Sequence, residues 1–415
     1  MKTQILEELN SLNLEEKQDL LFNLVSLNNS NFIKIKDKKF KVNEFEILKA
    51  LIKRDVNVNI KDSYGNTPLF YAKSQKIAEI LIQAGADIHI KNNTQFTALF
   101  YAKTKEIAEL LIQHGADANI QNSEGNVTPL FYAKSKEIAE VLIQHGADVN
   151  VKNNFGATPL FYEKSKEIAE LLIQHGADIN IKNHFGATPL FEVKSKEVAE
   201  VLIEHNAEIN ATNNNGSTPL FYVGSTEIAE LLIEHGADIH IKNKDENTPL
   251  FRAKSKEVAE LLIQAGLDVN TRNSFGFTPL FFAESKEIAE FLIRNGADVN
   301  TKNSHGITPL FCVDSKEIAE VLIQKGADVN VQSNCGETPL FYAKSKEIIE
   351  FLIRSGINVN ARNHKGQKAS ESRRSCDHDD LADFIEQKAI EFEQEKLNQS
   401  LPKSSKNFNH SKYRL

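Results

Sequence analysis

Apolar residues in this chain come in short blocks separated by polar stretches of constant length. Residues 158–187 show one complete block. It opens with Thr158-Pro159-Leu160-Phe161, and Lys166 to Ile173 then reads Lys-Glu-Ile-Ala-Glu-Leu-Leu-Ile. In that second run Ile168, Ala169, Leu171, Leu172 and Ile173 form an apolar face, with Lys166 and Glu170 on the wet side, which predicts an amphipathic helix. Ser165 is placed to cap it and Glu167 sits in its first turn, where the helix dipole favours a carboxylate. Gly176 predicts the stop, because glycine reaches left-handed backbone at least cost. Upstream, Thr158 is expected to cap a very short first helix through its hydroxyl. Pro159 suits the first position of that helix, and Leu160 and Phe161 supply its buried side. The segment from Asp178 to Ala187, rich in Asn and Gly, predicts an extended turn.

The block repeats. Thr-Pro-Leu-Phe begins at Thr67, Thr128, Thr158, Thr188, Thr218, Thr248, Thr278, Thr308 and Thr338, with a near copy at Thr97-Ala98-Leu99-Phe100. The step is 30 residues throughout, except 31 from Thr97 to Thr128. The stop glycine recurs from Gly85 to Gly356, and its replacement inside the array is Asn206, the next residue most tolerant of left-handed geometry. Helices this short are marginal alone, since isolated ones need roughly 12–15 residues. Each unit must bury its apolar face on its neighbours.

Thr-Pro-Leu, the Glu-Ile-Ala-Glu-Leu-Leu helix and Gly-Ala-Asp-Val-Asn together resemble the ankyrin repeat over roughly residues 37–398. The resemblance implies an all-α superhelical solenoid of helix–turn–helix–hairpin units, about a dozen counting degenerate terminal ones, that binds proteins on its concave side. Two departures stand out. The usual unit is about 33 residues, and here three are missing between the two helices. The family also usually has His after Thr-Pro-Leu, where this chain has Phe in all ten units. Shortened Thr-Pro-Leu-Phe units in a chain rich in Lys, Asn and Ile are similar to ankyrin proteins of obligate intracellular bacteria such as Rickettsia.

The ends differ from the array. Leu14 to Leu27 predicts an amphipathic helix, so residues 1–36 are expected to form a helical cap. Residues 37–66 keep the helix positions Ile47, Leu48, Leu51 and Ile52, but Asp37-Lys38-Lys39 replaces Thr-Pro-Leu. Near the other end Lys368-Ala369-Ser370 replaces it, the spacing returns to the longer form, and a helix is expected through Glu395. Residues 399–415, with Lys403, Lys406, Lys412 and Arg414, are expected to be a disordered basic tail.

Composition narrows the function. A net charge of −8 argues against a nucleic-acid groove, and no apolar run nears the ~18–20 residues that span a bilayer. Residues 1–8 lack the apolar core of a secretory signal, so the cytoplasm is expected, or export by a route independent of a signal peptide. Cys312, Cys335 and Cys376 share no ligand spacing, which fits a reducing compartment. Five histidines (His114, His145, His175, His205, His235) fall one per unit just before the helix stop, where an imidazole interacts with the helix dipole and does not converge on a metal. The Lys/Glu alternation of the helices is a solvated face of pairs one turn apart. No phosphate loop, nucleophile elbow or zinc motif occurs, so no cofactor, metal or catalysis is expected.

Candidate binding residues are those that vary between copies. The tip residue three before each Thr includes Tyr64, Phe155, Phe185, Phe275 and His305, and the residue just before Thr includes Phe277 and Ile307. The residue after the phenylalanine varies among Tyr162, Glu192, Tyr222 and Arg252. In the family the hairpin tips point along the binding edge. Exposed aromatic tips imply a partner unless each ring folds back onto its own hairpin. The leading expectation is a monomeric, non-catalytic adaptor, or an effector acting on a host protein. The rivals are a structural spacer without a specific partner and an enzyme whose chemistry resides in the short termini.

Overall fold

The computed structural model describes residues 2–26, 32–35, 38–41, 43–54, 56–374 and 379–400. Asp37, Cys376 and the basic tail beyond Ser400 lie outside the described residues. The fold is an all-α repeat solenoid apart from one short β-hairpin, and the chain divides into two compact units, Met1–Asn214 and Asn215–Leu415.

The first unit opens with α1 (Lys2–Ser11) and α2 (Leu14–Ser26), followed by strands β1 (Phe32–Ile35) and β2 (Lys38–Lys41) and helix α3 (Glu44–Ile52). Asn13 and Glu16 close a reciprocal capping box at the start of α2, each side chain accepting from the other's backbone N–H at 2.8 Å. Leu20, Leu21, Leu24 and Val25 of α2 are buried. The strands pair antiparallel, Ile33 opposite Phe40 and Ile35 opposite Lys38. This hairpin differs from the expected helical cap, whose boundary at residue 36 would cut it. Alternation of apolar and Lys residues at a period of two is the pattern of a strand, and no helical face competes with it there.

Each repeat then places one turn of 3-10 helix before an α-helix of nine residues. In the first unit the helices are α4 (Gln75–Gln83), α5 (Lys105–Gln113), α6 (Lys136–Gln144), α7 (Lys166–Gln174) and α8 (Lys196–Glu204). In the second they are α9 (Thr226–Glu234), α10 (Lys256–Gln264), α11 (Lys286–Arg294), α12 (Lys316–Gln324) and α13 (Lys346–Arg354), then α14 (Ala369–Arg374) and α15 (Asp379–Ser400). Within each unit every repeat helix packs on the next. The expected buried positions are buried: Ala169 is fully covered, and Leu172 and Phe161 are 1% and 3% exposed. Ser165 caps α7 by accepting from the Ile168 N–H at 3.3 Å, and its hydroxyl donates to Glu167 at 2.6 Å. Gly176 and Asn206 both have positive φ, +87° and +67°.

One expectation fails. Thr158 makes no side-chain cap, and its hydroxyl is buried without a hydrogen-bond partner. The reason lies in the tight turn. The Phe161 N–H bonds to the Thr158 carbonyl at 3.1 Å, and Pro159 has no N–H to offer. The hydroxyls of Thr67, Thr128, Thr188, Thr218, Thr248, Thr278 and Thr338 share this state.

Neighbouring repeats are also joined by a polar staple. The Asn150 amide donates to the Gly176 carbonyl at 2.9 Å and accepts from the Asp178 N–H at 2.8 Å. Asn59, Asn180, Asn270, Asn300 and Asn330 do the same one repeat apart each time.

Candidate partner-binding surface

The turn between repeats is built to hold its tip still. The Asn153 side chain accepts from the backbone N–H groups of Phe155 and Ala157 at 2.9 and 3.0 Å, an Asx turn closed by Gly156 at φ +75°. The Phe155 carbonyl then accepts from the His184 N–H in the next tip at 2.9 Å, and the Phe185 carbonyl from Asn214 at 2.8 Å. In the second unit Ser304 donates to Phe275 at 3.0 Å and Asn334 to His305 at 2.9 Å. Tip backbones are therefore fixed in register, one repeat against the next.

On these fixed tips the rings stand in solvent. Tyr64, Phe185, Phe155 and Phe275 are 71%, 61%, 56% and 48% exposed, and His305 is exposed as well. The residue before each Thr turns the other way. Phe277 packs against Phe281 and Phe282, with ring centroids 5.0 and 5.5 Å away, and Ile307 is half-buried.

The position after the phenylalanine forms a second line. Phe131 meets Tyr162 of the next repeat at 6.1 Å, Phe70 meets Tyr101, Phe251 meets Phe282 and Phe311 meets Tyr342 at 5.6–5.9 Å. At the start of the array Phe22 of α2 takes the same place against Tyr71 at 6.0 Å. Tyr162 keeps an exposed edge while its hydroxyl accepts from the Asn153 amide at 3.1 Å. Tyr222 is half-buried, and Glu192 and Arg252 are exposed.

The two lines meet in a cleft of about 790 Å³ in the second unit, lined by Phe275, Phe277, Phe282, Arg252, Cys312 and Lys344 among others. His305 and Ile307 lie outside its lining. Burial pushes the Cys312 thiol up to about 11, which keeps it a protonated, unreactive wall residue. In the first unit Phe161, Tyr162, Glu163, Lys164, Glu192 and Lys194 line a cleft of about 280 Å³. The lysines here escaped the sequence reading. In this unit a lysine follows each 3-10 turn at a fixed place in the repeat, and that these form a row shows only once the side-by-side stacking of those turns is known.

The histidines behave as helix ends. The ring Nδ1 of His114, His145, His205 and His235 lies 2.8–2.9 Å from the carbonyl four residues back. Among the described residues no cluster of His, Cys, Asp and Glu has metal-site geometry, and no helix is long and apolar enough to cross a membrane.

A family model described as ankyrin repeats (three copies) matches overlapping stretches at 40–92, 73–153, 98–183, 161–243, 222–303 and 283–363. No curated protein matches the chain.

Proposed function

The chain belongs to the ankyrin-repeat family, whose repeats are generally protein–protein interaction modules, and from that premise we propose that it is a non-catalytic adaptor gripping a partner protein by its hairpin tips. The observation that carries this reading is the exposure of Tyr64, Phe155, Phe185 and Phe275 on tips whose backbones are locked. A large ring in water is unfavourable unless something covers it, and a pre-organised ring loses little entropy when it binds. A partnerless spacer has no use for such rings.

The rings form two patches, each inside its own compact unit. Phe155 and Phe185 occupy adjacent tips in the first, and Phe275 stands over the aromatic cleft with Phe277 and Phe282 in the second. An interface of ordinary size takes roughly 20–30 residues per side, so each unit is large enough to hold a partner or one part of a long one. Arg252 at the cleft rim adds a residue type enriched in binding hot spots.

The test compares capture from a host-cell lysate by the wild type, by a Phe155→Ala/Phe185→Ala variant and by Phe275→Ala. A partner is then assayed in purified form by calorimetry. Loss of an anchor should weaken binding by at least ~2 kcal/mol, about thirtyfold, with the melting temperature within a degree or two of wild type. Unchanged affinity in both variants would sink the tip reading and move attention to Tyr162, Glu192, Tyr222 and Arg252.

A further inference from the structure

Five consecutive repeats of the first unit carry a lysine at one position, two residues past the tyrosine line: Lys73, Lys103, Lys134, Lys164 and Lys194. The 3-10 turns that precede these lysines pack one on the next through the unit, so the lysines form a row. Two further observations place them together. Burial, then the charges of Lys73 and Lys134, hold the Lys103 ammonium below its usual range. Lys164 and Lys194 line one cleft together with Phe161, Tyr162, Glu163 and Glu192.

The row lysines form no ion pairs among the described residues. Lysines on the helix faces of the same repeats have carboxylates, Lys105 with Glu109 at 3.6 Å, Lys166 with Glu170 at 3.8 Å and Lys196 with Glu200 at 3.7 Å. Among the described residues no ion pair or side-chain hydrogen bond holds the ammonium group of any of the five row lysines. Glu163 accepts from the backbone N–H groups of Lys164 and Ser165 at 2.8 and 2.7 Å, and its charge also interacts with that of Lys164 without forming an ion pair. In the second unit the equivalent positions are Gly224, Lys254, Glu284, Asp314 and Lys344, with Asp314 and Lys344 bonded to each other.

We propose that this lysine row binds an extended acidic segment of a partner polypeptide, one carboxylate per repeat. The proposal rests on the adaptor reading and deepens it. Packed elements lie roughly 8–10 Å apart, and an extended chain advances ~3.3–3.6 Å per residue. A carboxylate at about every third residue therefore keeps step with the lysines, while the exposed edges of Tyr101, Tyr132 and Tyr162 flank the intervening residues. A nucleic acid fits less well. A duplex carries one charge per ~1.7 Å, so a single cation per repeat leaves most phosphates unneutralised. Exposed pairs are weak one at a time and screened by salt, so the row acts through number and register.

The experiment measures fluorescence anisotropy of labelled fifteen-residue peptides with the full chain. One peptide carries Glu at every third position, a second has the same composition with its glutamates clustered, and oligothymidylate is the third probe. The period-three peptide should bind best and weaken in high salt. Lys103→Gln/Lys134→Gln/Lys164→Gln should weaken it about tenfold or more, while Lys105→Gln/Lys166→Gln/Lys196→Gln, an equal change of charge, should not. Equal losses in the two variants, no preference for the periodic peptide, no binding, or tighter binding of oligothymidylate would each overturn the proposal. Melting temperatures confirm that both variants fold. If the peptide arm fails while tip-dependent partner capture persists, the lysine row alone is wrong.

Discussion

At Thr158 two neighbouring residues leave a polar group stranded. The family usually follows Thr-Pro-Leu with a histidine, and here Phe161 fills that place, packed at 3% exposure with no group to bond the threonine hydroxyl. A buried donor without an acceptor costs ~1–3 kcal/mol, and valine has the same shape without the hydroxyl. Thr158→Val is therefore expected to leave stability unchanged or raise it by up to ~1 kcal/mol in urea titration. A loss of stability would mean that the hydroxyl is bonded. The tips hold a second residue-scale misfit. Most place a glycine two residues before Thr, at positive φ, but Gln95 and Glu246 occupy that place at φ +62°. Left-handed backbone costs a side-chain-bearing residue roughly 1–2 kcal/mol, part of which glycine gives back as entropy in the unfolded chain. Gln95→Gly and Glu246→Gly should each add about 1 kcal/mol of stability, and a decrease would show that the side chain itself holds the turn.

At the scale of the element, the nine-residue helices owe their start to a shared device. In α6, α7 and α8 the cap hydroxyl of Ser135, Ser165 or Ser195, and then the residue's own N–H, holds Glu137, Glu167 or Glu197 below the usual carboxylate range. In α5, α11 and α12 the N–H of Glu106, Glu287 or Glu317 contributes first and the cap hydroxyl second. A carboxylate depressed in the folded state stabilises above its unfolded value, ~4.3, and loses that contribution as pH falls through the folded value. Melting temperature should hold from pH 7 to about 5 and then fall. Replacing all six glutamates with glutamine should make the fall shallower, because fewer protons are taken up on unfolding; an unchanged slope would refute the device. Such caps were legible in the sequence because donor and acceptor lie two or three residues apart. So were the stops at Gly176 and Asn206, which answer to local backbone alone. The Asn150 staple was not, since its partner lies 26 residues on, and in isolation Asn150 reads as turn chemistry. The β-hairpin lacks the Asn-Gly signal that marks tight hairpins. Tip positions were found from their variation between copies, but which rings face solvent depended on Asn153-type turns that only the folded geometry reveals.

At the scale of the whole molecule, stability within each compact unit follows from each repeat meeting its neighbours through the same positions. In the second unit Ala229, Ala259 and Ala289 are fully buried, and Leu232, Leu262 and Leu292 are at most 1% exposed. Deleting residues 248–277 would bring the repeat before the cut against the repeat after it through those same residues, with the Thr-Pro-Leu-Phe register kept. In a stack of nearest-neighbour interfaces this removes one repeat's contribution and exposes nothing new. The end of the chain is different. Ile349 and Ile353, 0% and 2% exposed, belong to α13, which packs against α15, and the Ala382 and Ile385 side chains of α15 are buried too. Arg373 also donates to the carbonyls of Phe341 and Ala343, closing the last 3-10 turn. A chain ended at Gln367 therefore bares an apolar helix face and frees those carbonyls. Circular dichroism and light scattering on the two proteins should give a folded, monodisperse internal deletion and an aggregating truncation. The reverse result would mean that the repeats depend on contacts beyond their neighbours. It would also remove the basis for treating the tip patches and the lysine row as separable surfaces, because a change at one would then propagate to the other.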